Sequence, residues 1–517
     1  MRRYSVHTAI FIVLGALAAA CSKDLGNYSY DDINELAIKG VADKYSVTTA
    51  VDTLRISPEV TATEAGSGKD RYKYYWIIRG SNKFLDTLGF EETLEYPVLL
   101  APETYNMEFR TVDEVTGVSW WKKFELVVGT VYTRGILLIG ENEQGNAEAE
   151  MLSMIADTVL VRNILSNSGL PVLKDPVSFL HTSGWEAYKK IWVFSKSGSY
   201  HLDRLSMEGS EDNTFGKQVY TSDPIDTKTL IPVALAPQVK TAAGATGTDY
   251  LRAMLCNDGS IFVSYLLLNG GDFYTNPMNR IAADPQKLLK AAPYLLYSIN
   301  NMNAIVWYDT ENQRFLNITN IGLSTASNVL TDKDGDPFPW NQAGTGRTLV
   351  YAENTRNTDG SSTHGNSFAV MKDAGNTCYL YKFYAYGSTP PKRAAYTVLP
   401  MAVNFDKADF YAFSSNRTVV FYSVGAKLYA YDYNPGNEKF YEYPAIGNDP
   451  ITMLKFDTQM DYLSNSLYIA TYNATTKGTL RRFAVGSNPN VVEITQVEHG
   501  RWDNLIKVKN MNWRAVN

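Results

Sequence analysis

Apolar and polar positions alternate along most of this chain in short runs, each closed by Gly, Asn, Asp or Ser. A period of two marks half-buried strands, because successive side chains leave a strand on opposite faces. From Leu36 to about Gly129 the runs Thr53–Ile56, Tyr72–Ile78, Tyr105–Thr111 and Trp120–Val128 predict a small β-sandwich. Within Tyr74-Tyr75-Trp76-Ile77-Ile78, Trp76 falls where a sandwich keeps a core tryptophan, so packing is its expected role.

Beyond Gly129 the strand pattern continues as a weak internal repeat: an apolar strand, a polar Asn/Asp/Gly turn, then a strand rich in Tyr and Phe. Copies lie at Lys190–Leu202, Leu251–Leu266, Ala304–Ile318, Ser367–Tyr384, Leu428–Tyr443 and Leu467–Ala484. They stand about 40 to 70 residues apart, close to or above the size of one four-stranded propeller blade. No Pro/Ser-rich linker separates them, and radial repetition protects the edges of so large a sheet. Asp309…Phe315 and Asp432…Phe440 are expected at the same point of successive hairpins. The fold class is therefore all-β: a sandwich over 36–129, then a β-propeller over 130–517 with six to eight blades, seven preferred. A short helix is possible over Pro285–Tyr297.

Composition narrows the function. The chain has 517 residues, enough for two or more domains, and a formal net charge of −6. No cluster of Lys and Arg is present, so a nucleic-acid surface is excluded. The 35 tyrosines and 9 tryptophans suit strands and also supply rings for stacking on sugars or peptides. Cys256 and Cys378 each sit in an apolar run and are expected to be buried free thiols.

The first residues carry an address. Arg2 and Arg3 precede an apolar run from Ala9 to Leu17, followed by Ala18-Ala19-Ala20-Cys21. The run is too short to span a bilayer as a helix and reads as a signal over 1–20. Leu17-Ala18-Ala19-Ala20-Cys21 resembles a bacterial lipobox, which implies that Cys21 is lipidated and that 21–35 form the anchor and a polar tether. Ser22-Lys23-Asp24 resembles the tag that sends lipoproteins of Bacteroides-like bacteria to the cell surface. With the tether, the run Tyr105–Asp113 and the Thr116-Gly117 turn, the first domain resembles the PKD-like lipoproteins of Bacteroidetes, and 36–129 is identified as a PKD/Ig-like sandwich. That resemblance implies an outer-membrane location, facing outward, beside a SusC-like TonB-dependent barrel and a SusD-like lipoprotein.

Candidate chemistry concentrates in the least strand-like insertions, 269–284, 330–347 and 354–366, because loops on a rigid propeller carry its function. Trp340 and Phe338, in Pro337-Phe338-Pro339-Trp340, and Tyr274 are candidates for stacking on a sugar or peptide, with docking of the loop on its own blade as the alternative for Trp340. Trp185, in a similar turn-rich stretch, is a further candidate. Asp332, Asp334 and Asp336 alternate around Gly335 and can aim three carboxylates at calcium, or form an acidic surface turn. Catalytic signatures are poor: no H-E-x-x-H motif occurs, and Gly365-Asn366-Ser367-Phe368-Ala369 lacks the strand-to-helix setting of a nucleophile elbow. The expected function is a non-catalytic accessory of such an importer that binds glycans or oligopeptides. A surface glycoside hydrolase and a purely structural subunit are the alternatives.

Overall fold

A computed structural model describes residues 34–63, 69–81, 85–155, 158–240, 250–299, 302–356, 365–461 and 465–514. Cys21 and the leader lie outside the described residues. Two compact units are present: Met1–Tyr45 with Thr53–Tyr96 and Thr104–Leu126, and Ser46–Asp52 with Pro97–Glu103 and Val127–Asn517. Among the described residues no helix is long and apolar enough to cross a membrane.

The first unit is a sandwich. Its larger sheet has the order Lys44–Thr48, Ser119–Gly129, Thr104–Asp113, Tyr72–Arg79, Leu85–Gly89, and two short pairs join Leu36–Lys39 to Glu59–Ala62 and Thr53–Ile56 to Leu94–Pro97. Alternation along Tyr72–Arg79 buries Trp76 and Ile78 and leaves their neighbours part-exposed. Trp76 packs tilted against Phe109, ring centroids 4.4 Å apart, and its indole N–H donates to Glu91 O at 3.0 Å. It is a packing residue, as expected of its place on a central strand.

The second unit repeats one motif seven times among the described residues. Blade 2 runs Pro176–His181, Ile191–Ser195, Gly198–Leu202, Gly209–Thr214; blade 3 runs Pro232–Leu235, Leu251–Cys256, Ile261–Tyr265. Blade 4 runs Leu296–Tyr297, Ile305–Asp309, Arg314–Ile318, Asn328–Val329; blade 5 runs Thr348–Asn354, Ser367–Lys372, Cys378–Phe383, Lys392–Thr397. Blade 6 runs Phe410–Phe413, Val419–Val424, Lys427–Asp432, Lys439–Glu442; blade 7 runs Ile451–Phe456, Ser466–Asn473, Lys477–Val485, Ile494–Leu505. Blade 1 is composite. Gly135–Glu141, Ala147–Ser153 and Val159–Val161 supply three strands, and Lys507–Trp513, from the other end of the unit, pairs with Gly135–Glu141 as the innermost.

The innermost strands pack in a ring that runs from blade 1 through blade 7 and back. Separate hydrophobic clusters fill the wedges between consecutive blades, from Leu137 against Phe179 between blades 1 and 2 to Tyr468 against Leu138 between blades 7 and 1. Middle strands such as Ile191–Ser195 are buried on both faces, which is why they read as unbroken apolar runs instead of alternating ones. Asn or Asp turns close the hairpin between second and third strands in blades 1, 3, 4, 5 and 7, where Asn142, Asp258, Asp309, Asp373 and Asn473 accept from backbone N–H groups two residues on. Asp432 departs from the expectation. It ends the third strand of blade 6, so its turn is the next hairpin along and not the counterpart of the Asp309 turn. The segment 285–297 is turns leading into the inner strand of blade 4, not a helix.

Candidate ligand-binding site

The expected ligand contacts at Trp340, Phe338 and Tyr274 are corrected by burial: each is 2% exposed. Phe338 stacks on Tyr381 at 4.2 Å and Trp340 meets Phe383 edge-on at 5.1 Å, so the Pro-Phe-Pro-Trp loop fills the wedge between blades 4 and 5. Tyr274 does the same between blades 2 and 3, and burial pushes its hydroxyl well above the ordinary tyrosine range. Closing a wedge needs flat, bulky groups, and these rings supply them.

The calcium reading of Asp332, Asp334 and Asp336 is also corrected. The Lys392 ammonium stands where a cation would, 2.6 Å from Asp332 Oδ1 and 2.6 Å from Asp336 Oδ2, while Asp334 is exposed. Lys392 also lies 5.2 Å over Trp340, so one buried ammonium ties the acidic turn to the aromatic wedge. Among the described residues no group of three His, Cys, Asp or Glu side chains converges as a metal site. Lys392→Met is expected to lower the melting temperature by a few degrees and calcium to leave that of the parent unchanged; thermal melts with and without calcium check both.

Trp185 is 44% exposed, and the structure gives it company. It lies in the loop between first and second strands of blade 2, with Tyr188 at 6.0 Å and Tyr250, 39% exposed and at the matching point of blade 3, at 5.7 Å. Tyr188 and Phe273 flank Gly271, where any side chain would run into the Phe273 ring, and Phe273 meets Tyr220 edge-on at 5.0 Å. Exposed Leu267 and Leu268 lie on the adjoining turn, Leu266–Asn269, whose Asn269 donates to Phe273 O at 3.0 Å. The result is a continuous aromatic ledge on one face of blades 2 and 3.

Charge beneath the ledge fixes its shape. Arg252 Nη2 donates to Ser183 O and Tyr188 O, both at 2.8 Å, clamping the turn that carries Trp185. Asp272 holds Arg252 at 3.4 Å and Lys190 at 2.8 Å. Behind them His201 packs edge-on to Trp192, and burial together with Lys190 pushes its imidazole down to about 4, so it stays neutral at physiological pH.

A second concavity follows the propeller axis. Inner strands of all seven blades line a cavity of about 380 Å³ that includes Tyr351, Glu353, Lys455, Lys509, Asn510 and Asn512. Just past the inner strand of blade 7, Gln459 reaches across to blade 3: its side chain donates to Gln238 O at 2.9 Å and accepts from Trp513 N at 3.1 Å, and its carbonyl accepts from Lys240 N at 2.7 Å. Glu353 accepts from Phe413 N and, at 3.2 Å, from Tyr351 Oη. Burial outweighs both bonds and pushes its carboxyl up to about 8.

The PKD-like family model matches residues 21–170. The match takes in the sandwich and the first three strands of blade 1. No curated protein sequence matches the chain. Among solved structures, a quinonprotein alcohol dehydrogenase-like protein from Bacteroides thetaiotaomicron is 11% identical, covering 92% of this chain and 97% of its own, with a TM-score of 0.36. A candidate 6-phosphogluconolactonase from Bacteroides uniformis is 13% identical, covering 74% and 99%, with a TM-score of 0.41. The WD40 domain of SCAP from fission yeast is 8% identical, covering 66% and 72%, with a TM-score of 0.30.

Phe273, in the 269–284 insertion, is an aromatic the sequence places on the rim, whereas nothing in the sequence marks Tyr188, Tyr250 and Tyr220 as its companions, because separate blades bring them together. The sequence reading also passed over Glu353 and Lys455. Their signal was available: each is the lone charge in an otherwise uncharged inner strand, Thr348–Asn354 and Ile451–Phe456.

Proposed function

We propose that this chain is a non-catalytic lipoprotein of the outer-membrane surface that captures glycans or oligopeptides on the aromatic ledge and passes them to a SusC/SusD-type importer. The observation that carries the reading is the array of exposed Tyr250 and Trp185 with part-buried Tyr188, held by Arg252. Rings fixed before the ligand arrives lose little entropy on binding, and their faces suit sugar rings and peptide side chains alike. A PKD-like, β-rich architecture is consistent with a surface or binding role. The anchor rests on the lipobox-like run ending at Cys21, and the importer on the resemblance of leader and first domain to PKD-like lipoproteins.

Calorimetric titration of purified protein with oligosaccharides and oligopeptides tests the capture. Saturable binding without turnover is expected, with Trp185→Ala and Tyr250→Ala each weakening it about tenfold at unchanged melting temperature, equivalent to about 1.4 kcal/mol. Release of reducing ends or shortened peptides by the protein sinks the non-catalytic reading and leaves the hydrolase. Cys21→Ser is expected to free the protein from the membrane fraction, and a detergent pull-down from native membranes to recover a TonB-dependent barrel with its lid. Recovery of neither removes the importer.

A further inference from the structure

The axial cavity holds a cation, Lys455, that no ion pair among the described residues holds directly. Lys455 projects from the inner strand of blade 7 and retains accessible surface although the ring surrounds it, so it faces the cavity. Its Nζ has two long contacts, to Asn510 Oδ1 at 3.4 Å and Met511 O at 3.3 Å, both uncharged acceptors. Among the described residues no carboxylate lies within ion-pair distance of it; Asp457 and Glu353 act on it only from farther away. Lys509, part-exposed in the same wall, adds a second ammonium, shared with Glu141 at 3.4 Å. Opposite in character, Asn512 is buried and its Oδ1 lacks a hydrogen-bond partner.

We propose that this cavity is a binding site, separate from the ledge, for one small hydroxylated carboxylate such as a sugar acid, with its carboxylate on Lys455 and a hydroxyl donating to Asn512 Oδ1. A buried ammonium is costly unless an anion and hydrogen bonds accompany it, and a buried amide oxygen is costly without a donor. A hydroxy acid supplies both groups at once. The volume of about 380 Å³ lies at the low end for small-molecule pockets and excludes an oligomer. Glu353 does not oppose the ligand, because burial keeps its carboxyl largely protonated at neutral pH.

Titration of the full chain with glucuronate, gluconate, glucuronamide and glucose at pH 7 tests the proposal. Glucuronate or gluconate is expected to bind with at least tenfold preference over glucuronamide and glucose. Lys455→Met is expected to abolish that preference, whereas Trp185→Ala leaves it unchanged, which separates this site from the ledge. Equal binding of glucuronate and glucuronamide, no binding of either acid, or undiminished preference in Lys455→Met overturns it. The comparison of acid with amide uses the parent protein alone, so it decides the matter even if Lys455→Met fails to fold.

Discussion

A chain ending at Ile506 loses the cooperative unfolding of the propeller and retains at most the transition of the sandwich. The missing strand, Lys507–Trp513, buries Val508, Met511 and Trp513 between blades 7 and 1. Loss of one large buried side chain costs about 2–5 kcal/mol, and three together match or exceed the whole stability of a typical domain, about 5–15 kcal/mol. Truncation also strips the inner edge of Gly135–Glu141, leaving an unpaired apolar strand that invites aggregation. Gly140→Val attacks the same seam more gently. A Cβ at Gly140 would lie 2.1 Å from Lys507 O, so any side chain there pushes the closing strand away. Calorimetry and size-exclusion chromatography of both variants check the expectation. An unaltered melting temperature and a monomeric profile for the truncated chain show that the composite blade is dispensable.

That composite blade is also what the sequence concealed. Five of the six repeat copies are the hairpins between second and third strands of blades 2, 3, 4, 5 and 7, which share apolar strands and polar turns; the copy at Leu428–Tyr443 is the following hairpin of blade 6. Blade 1 gives no such signal, since its hairpin over Gly135–Ser153 contains no aromatic residue, and its fourth strand comes from Lys507–Trp513. Local pattern reveals hairpins; ring closure is a non-local pairing, and nothing in a short window reports it.

Site residues divide on the same line. Polar, Pro- and Gly-containing stretches mark loops, so Phe338 and Trp340 looked exposed, yet a loop that runs from one blade to the next lies over a wedge that rings fill. Trp185 looked similar and is exposed, because its loop lies at the end of a blade with Arg252 beneath it. What separates the two cases is which element lies under the loop, a property of the assembled ring. Glu353 and Lys455 are different: a single charge inside a strand that should face an apolar core is visible from the sequence, and it marks a strand whose other face meets a cavity.

Glu353→Gln is expected to stabilise the protein increasingly as pH rises from about 5 to about 8. The folded carboxyl titrates at about 8, whereas an unfolded glutamate titrates near 4.3. Between these values the native state holds a proton that the unfolded state has released, so stability falls as pH rises, by at most about 1.4 kcal/mol per pH unit. The stabilising contribution is complete below the unfolded value and is lost as pH passes through the folded one. Glutamine cannot ionise, keeps an oxygen for Phe413 N and gives an amide donor toward Tyr351 Oη, so the variant keeps the geometry and removes the slope. Between pH 5 and pH 8 its advantage over the parent is expected to grow by about 3–4 kcal/mol. Burial also raises the carboxyls of Glu150 and Asp457, but they titrate in parent and variant alike and cancel in the difference. Urea unfolding of both proteins from pH 5 to 8.5 gives the measurement. A difference that stays flat across that range means Glu353 is ionised in the folded protein, and the cavity is then wet enough at Glu353 to solvate its charge.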